Sequence, residues 1–358
     1  MDPVRSILFI AFGELDKTSC LRATQLCLHL RRLGWRADVA VPDVPANRES
    51  QQCVALRPLY FSTGLSRFRF DIGKLLVERK PEYVHFLNPK EKAIAISIGH
   101  PGCRFVYDWE DWSTFWETNR IRRWYKERRE RWLVKRGTVL MTASRWLSEY
   151  LKTMYQRDSL YLPYACLPRE FPKGESVFSE KTAVAMGNLY ASWDHDLLVE
   201  AASLLKVMGC EPSIRLIGTG PDFEATQRKV RALQLRRFSM PGYLAWDPML
   251  AELQSAHCIV FPIRPKPLNL ARCPFKCFQF AQSRRPVITS DVGEVRAILG
   301  DRAMYVEPTA HGIASGLQSM MAAPRLEDVP FDLTGHQWSL RASELSAHLQ
   351  SKTAANRS

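Results

Sequence analysis

The chain has 358 residues, 46% of them apolar and 24% charged, with a formal net charge of +13. That length favours two domains, each able to bury its own core, and the composition is that of a soluble protein rather than a disordered or fibrous one. No apolar run approaches the roughly 18 residues that span a membrane, and nine cysteines without CxxC pairs or histidines at ligand spacing fit reduced thiols in the cytoplasm.

The first apolar run, ILFIAF at 7–12, is too short for a signal peptide and reads as a strand. Gly13 follows it in the loop FGELDKTSC. Residues 20–33 carry Leu21, Leu26, Leu28, Leu30 and Leu33 along one side and stop at Gly34, which predicts a helix. Strands are expected at 37–41, 83–86, 105–107, 139–141 and 160–162, with helical stretches between several of them. Such alternation implies a parallel sheet covered on both faces. In FVYDWEDWSTFW, Asp108, Glu110 and Asp111 are placed just past the carboxyl end of a strand, the edge where doubly wound sheets bind ligands.

Residues 120–136 hold nine Lys/Arg and two Glu, with Ile121, Trp124, Tyr125, Trp132 and Leu133 on one side of a predicted helix. A basic helix with aromatic anchors suits an anionic membrane surface; the same pattern also suits a helix packed by its aromatic stripe and solvated on its charged face. No nucleic-acid recognition module surrounds it. Residues 1–165 carry 28 Lys/Arg against 18 Asp/Glu, so most of the positive excess lies in the first half.

Pro163, Pro168, Pro172 and Gly174 break the alternation, which predicts a first domain at 1–165 and a linker at 166–181. A second domain at 182–330 restarts with strands at 184–186, 213–217, 238–240 and 258–261 and helices at 196–208, 222–233 and 248–254. Gly187 and Asn188 follow its first strand, where glycine permits a tight turn and close ligand approach and equally serves a plain βα turn. LIGTGP then places Gly218 and Gly220 before a helix; this is not GxGxxG and no acidic residue follows at dinucleotide spacing, which disfavours a dehydrogenase. Gly242, Tyr243 and Leu244 offer backbone groups and an aromatic face to a nucleobase.

The segment 257–294 is the most informative. A strand leads into a loop with Arg264, Lys266 and Arg272, Pro274 opens a helix with Lys276 in its first turn, and a buried-type strand follows at 286–289. A helix N-terminus flanked by cations suits a phosphate or diphosphate. After a helix at 294–299, a strand at 304–306 and a helix at 313–321, residues 331–350 contain an amphipathic helix with Trp338, Leu340, Leu345 and Leu349. The polar residues 351–358 are expected to be a disordered tail.

The ordered strings strand–GN, LIGTGP, PGYL and HCIVFP…PFKCFQFA…RPVITSDVGEV resemble the nucleotide-sugar domain of GT-B glycosyltransferases of the family 4 (group 1) type. KPEYVHFLNP, VLMTASRWLSEYL and LYLPYA fit the first domain more loosely. The resemblance implies an α/β fold of two Rossmann-like doubly wound domains facing a cleft, with the C-terminal helix crossing back to the first. It also implies a nucleotide diphosphate sugar as donor substrate, bound by the second domain, and an acceptor bound by the first. Lys276 matches the family's lysine. Two glutamates usual in that segment are absent: their positions are Ala271 and Gln279. The family's Arg and Lys after the first strand of this domain are replaced by Trp193, Asp194 and His195.

Arg272 and Lys276, with Arg264 as a further candidate, are therefore expected to neutralise the diphosphate, and Gln279 to give a neutral hydrogen bond to ribose or sugar. Gly13 is expected to face the cleft. Transfer onto a hydroxyl needs a group to take its proton: Asp111 is the first candidate, Asp108 the second and His85 the third. The acids equally suit capping the next helix, and His85 a core position. No acidic pair is spaced to hold a metal, so neither metal nor cofactor is expected. The expectation is a metal-independent glycosyltransferase at the inner face of the membrane, acting on a glycan or lipid-linked acceptor in cell-surface polysaccharide or glycolipid synthesis. A GT-B epimerase or hydrolase, or a non-catalytic binding subunit, are the alternatives.

Overall fold

The computed structural model describes residues 5–112, 114, 117–172, 176–190, 193–324 and 328–355. The chain divides into two compact units: residues 1–165 with 271–273 and 336–358, and residues 166–270 with 274–335.

The first unit contains β1 (Ser6–Ile10), α1 (Thr18–Arg32), β2 (Arg36–Pro42), α2 (Pro45–Arg48), α3 (Cys53–Leu56), β3 (Leu59–Phe61), α4 (Leu65–Arg79), β4 (Tyr83–Leu87), α5 (Glu91–Gly99), β5 (Arg104–Trp109), α6 (Arg120–Arg136), β6 (Val139–Thr142), α7 (Arg145–Tyr155) and β7 (Leu160–Tyr161). All seven strands are parallel, in the order β3-β2-β1-β4-β5-β6-β7. β1 and β4 are buried along their whole length, as strands covered on both faces must be. Chain direction across the sheet reverses at β1/β4. With right-handed crossovers, α1 therefore lies on one face and α4 to α7 on the other. Phe68, Ile72, Ile96, Leu133, Leu147 and Leu151 carry that second layer onto Leu8, Val84, Phe86, Phe105 and Tyr107.

The second unit contains β8 (Thr182–Met186), α8 (His195–Val207), β9 (Ser213–Ile217), α9 (Phe223–Ala232), β10 (Phe238–Gly242), α10 (Trp246–Ser255), β11 (Cys258–Phe261), α11 (Pro267–Ala271), α12 (Lys276–Ser283), β12 (Val287–Thr289), α13 (Val295–Leu299), a 3-10 turn at Gly300–Arg302, β13 (Met304–Tyr305) and α14 (Ala310–Ala322). Its six strands are parallel, in the order β10-β9-β8-β11-β12-β13, so the reversal falls at β8/β11. A core of Leu198, Leu205, Leu216, Val230, Val260, Ile313 and Leu317 joins the sheet to α8 and α14.

The last helix, α15 (Trp338–Ala355), groups with the first unit. It packs on α1 and buries Trp338, Ala342, Leu345 and Leu349. Trp35 Nε1 donates to Ser346 Oγ at 2.9 Å and Tyr83 Oη to the Leu349 carbonyl at 2.9 Å. The helix runs five residues beyond the expected stop at 350; of the tail expected to be disordered, 356–358 lie outside the described residues. Among the described residues, no helix is long and apolar enough to cross a membrane.

Candidate functional site

In each unit the reversal of strand order opens a crevice at the carboxyl edge of the sheet, the place where doubly wound folds take ligands. In the second unit three βα loops are stitched together there. Gly187 N donates to Ile217 O at 2.9 Å, Leu189 N to Thr219 O at 2.9 Å, and Gly218 N to Gly242 O at 2.8 Å. Only glycine permits this: a Cβ on Gly218 would lie 1.8 Å from Gly187 O, and one on Gly220 2.3 Å from Leu189 O.

Across the reversal, Lys276 opens α12 and points back at the first loop. Its Nζ lies 2.2 Å from where a Cβ on Gly187 would stand, and 4.1 Å from the centroid of the Trp193 ring. Gly187, Asn188, Trp193, His195, Phe261 and Lys276 line a small pocket between β8 and β11. Lys276 was expected in the first turn of a helix begun by Pro274; the helix instead starts at Lys276 itself, and a separate short helix, α11, fills part of the expected loop. Asn188 is exposed; Gly242, at φ 85°, ends β10, the exposed Tyr243 follows it, and Leu244 lies partly buried beyond them. Gln279 is buried within α12.

Arg264 is engaged elsewhere. Its guanidinium bonds Asp194 at 3.0 Å and Asp196 at 2.8 and 2.9 Å, and its backbone N–H bonds Asp194 at 2.9 Å. Asp194, nearly fully buried, also takes Lys266 Nζ at 2.7 Å and Asn269 Nδ2 at 2.7 Å. Asp194, which stands where the family has a diphosphate cation, is thus neutralised by Arg264 and Lys266, and Arg264 is not a cation left over for a phosphate. Arg272, expected with the diphosphate cations of the second domain, is buried and groups with the first unit.

The first unit carries a buried polar network at the corresponding edge. Asp108 lies inside β5 rather than past it, and is fully buried. Arg22 of α1 holds both its oxygens, Nε to Oδ2 at 2.6 Å and Nη2 to Oδ1 at 3.0 Å, and His85 Nε2 lies 3.1 Å from Oδ2. Burial alone would push the Asp108 carboxyl up, but Arg22 and His85 hold it below its ordinary value. An ion-paired, enclosed carboxylate cannot meet an acceptor hydroxyl, which removes Asp108 as a proton acceptor; its partner His85, also fully buried, is a core histidine.

Past the strand, Asn88 at φ 44° places its side chain across the next turn: Nδ2 donates to Glu110 Oε2 at 2.8 Å, and Oδ1 accepts from Glu110 N at 2.9 Å and Asp111 N at 3.4 Å. Tyr164 Oη donates to the other Glu110 oxygen. Burial pushes the Glu110 carboxyl up to about 8, against the pull of Arg22 and with the push of Asp108. Asp111 is exposed at its surface yet crowded by surrounding chain, which raises its pKa while Arg272 and Lys90 lower it. On the β1–α1 loop, Gly13 O accepts from Asn47 Nδ2 at 3.2 Å, and the buried Asn47 also takes Leu15 N at 2.7 Å. Asn88 and Asn47 were not foreseen; an asparagine directly after a buried strand, as in LNP, was the available signal. Among the described residues, no three His, Cys, Asp or Glu side chains are grouped to hold a metal ion.

Two family descriptions match the chain: Glycosyl transferases group 1 over residues 180–323, and Glycosyl transferase 4-like domain over residues 21–162. The chain belongs to the group 1 glycosyltransferases, with the GT-B fold. The lipopolysaccharide outer core galactosyltransferase WaaB is similar in structure, with a TM-score of 0.66, 12% identity, and coverage of 97% of this chain and 99% of that one. The Anabaena protein Alr3699/HepE in complex with UDP gives a TM-score of 0.63 at 12% identity over 96% of this chain and 95% of that one. A putative UDP-N-acetylglucosamine 2-epimerase from Listeria monocytogenes gives 0.64 at 10% identity over 98% of both. No curated protein matches this glycosyltransferase in sequence.

Proposed function

We propose that this glycosyltransferase moves a hexosyl group from a nucleotide diphosphate sugar to a hydroxyl of a glycan or lipid-linked acceptor, without a metal. The observation that carries the reading is the pairing of Lys276 with Gly187 across the β8/β11 reversal. It brings an ammonium within reach of a loop whose backbone only glycine can form. Lys276, with the amides at Gly187 and Asn188, offsets the charge that develops on the departing diphosphate. The base rests at Gly242–Leu244, and Gln279 supports the sugar or ribose. That HepE is seen with UDP supports a uridine nucleotide as first choice of donor.

In the first unit Asp111 takes the acceptor's proton. It is the accessible carboxylate of the two aspartates proposed, and burial moves its pKa towards neutrality, where a general base is most effective. The basic helix α6 brings the enzyme to the anionic inner face of a membrane, where it serves polysaccharide or glycolipid synthesis. In support, Ile121, Trp124 and Tyr125 are each more than half exposed, while Leu133 and Val134 hold the other end of the helix in the core.

Calorimetric titration with UDP and GDP tests the donor site. Lys276→Ala should weaken the preferred nucleotide at least tenfold, and unchanged binding refutes the site. A thermal-shift panel of nucleotide sugars then identifies the donor. The fold shared with an epimerase keeps a second reading in view: donor turnover with no acceptor present would favour it. Product formation unaltered in Asp111→Asn would remove the base assignment.

A further inference from the structure

α4, α5 and α6 lie side by side in one layer, α5 in contact with both neighbours. α4 has an ordinary inward stripe, Phe68, Ile72 and Leu76, but a second stripe of Ser66, Phe70, Gly73 and Val77 faces away from the core. Between that stripe and α5 runs a groove of about 420 Å3 lined by Ser66, Arg69, Phe70, Ala95, Ile96 and His100. At one end Gly73 faces His100, whose Nε2 stands 3.4 Å from where a Cβ would be. Phe70 on one wall is more than half exposed, a costly arrangement for a large apolar side chain facing water.

The helices around this strip carry more cations than acids, and some of the cations are not neutralised. Arg67 pairs with Asp71, Lys74 with Glu78, Arg123 with Glu127 and Arg129 with Glu91. Arg69, Arg120 and Arg122 have no ion pair among the described residues. Arg128 stacks on Trp124, its guanidinium carbon 4.9 Å from the ring centroid, which leaves the aromatic on the outside of a basic surface.

We propose that the α4–α5 groove seats one anionic membrane lipid, its phosphate on Arg69 beside His100 and its upper acyl chain along Phe70 and Ala95. This rests on the reading of α6 as a membrane contact and extends it to a face three helices wide. The occupant is a lipid because the two requirements of the groove coincide in that molecule: an anion at the arginine rim and a flexible apolar chain along a strip of small-molecule size. Such a site adds lipid selectivity to what α6 alone would give, a general attraction to negative surfaces.

The test is co-sedimentation of the full chain with phosphatidylcholine vesicles, with and without phosphatidylglycerol. Wild type should bind the anionic vesicles and not the neutral ones. Arg69→Ala should weaken binding about fivefold, the effect of one basic residue at a surface, and Phe70→Ser about tenfold. Ala95→Asp, on the opposite wall, should weaken binding as well and guards against a local folding defect at α4. Soluble glycerol phosphate should not release the protein. If Trp124→Ser on α6 abolishes binding while all three groove variants bind as wild type, the groove proposal falls and the membrane reading stands. If wild type binds no vesicle, both fall; release by glycerol phosphate would make the site one for a free anion and overturn the lipid.

Discussion

Asn88 and Glu110 hold each other through two hydrogen bonds, side chain to side chain at 2.8 Å and Glu110 N–H to Asn88 Oδ1 at 2.9 Å. The clamp fixes the turn that carries Asp111. Asn88 does this from the left-handed region, φ 44°, which asparagine tolerates and alanine does not. Asn88→Gly removes the side chain without the backbone penalty, so transfer should fall about 100-fold from misplacement of the loop while the melting temperature drops less than in Asn88→Ala. Steady-state transfer rates alongside thermal denaturation separate the two effects. A Gly variant with wild-type rate would disconnect the clamp from catalysis.

Glu110 predicts a specific pH dependence of stability. Its folded-state value of about 8 lies above the ordinary 4.5, so the folded protein holds this proton more tightly than the unfolded chain. The stabilisation is complete below the unfolded value and is lost as pH rises through the window up to about 8. Glu110→Gln, which keeps the acceptor oxygen but cannot ionise, should flatten the fall in melting temperature across that window. An unchanged slope would show that Glu110 is not its source.

Arg22 and Asp108 are both fully buried and bound at 2.6 Å. Removing one partner strands the other charge, so Arg22→Met should cost about 3–5 kcal/mol in urea unfolding. The double variant Arg22→Met/Asp108→Leu should recover part of that loss. Additive losses would mean that the pair is not coupled.

Arg264 and Lys276 should respond oppositely. Arg264→Met breaks contacts to Asp194 and Asp196 and should lower stability by roughly 1–3 kcal/mol, less than for a sealed pair because the arginine is about a quarter exposed. Its nucleotide affinity should stay within about threefold of wild type, below the 0.7 kcal/mol that would mark a direct contact. A large affinity loss at unchanged stability would return Arg264 to the phosphate site.

Much of this was legible in the chain. β1, β4, β8 and β11 are short, continuous apolar runs, and such runs have few readings besides buried parallel strands. The three glycine turns were visible as motifs, although the reason for Gly218, a backbone oxygen where its Cβ would be, is a matter of packing between loops 31 residues apart. β3 passed unnoticed because three residues carry no period, and α5, EKAIAISIG, because an almost wholly apolar helix has no polar side to mark it. Asp108 was misplaced for a different reason. Its partner is 86 residues away, so nothing local distinguishes a catalytic aspartate from a paired one. Asp194 and Arg264 had each been noticed, one as a departure and one as a cation, but their 70-residue separation hid that they cancel.

The docking of α15 on α1 has a consequence for synthesis of the chain. The first unit is built from stretches far apart in the polypeptide, with all of residues 166–270 translated in between. Until α15 leaves the ribosome, the surface of α1 that receives Leu345 and Leu349 stays bare, and the nascent first unit must wait, incomplete, while its successor folds. A stop codon before Trp338 would make that wait permanent, leaving a product prone to aggregation rather than a slightly shortened enzyme.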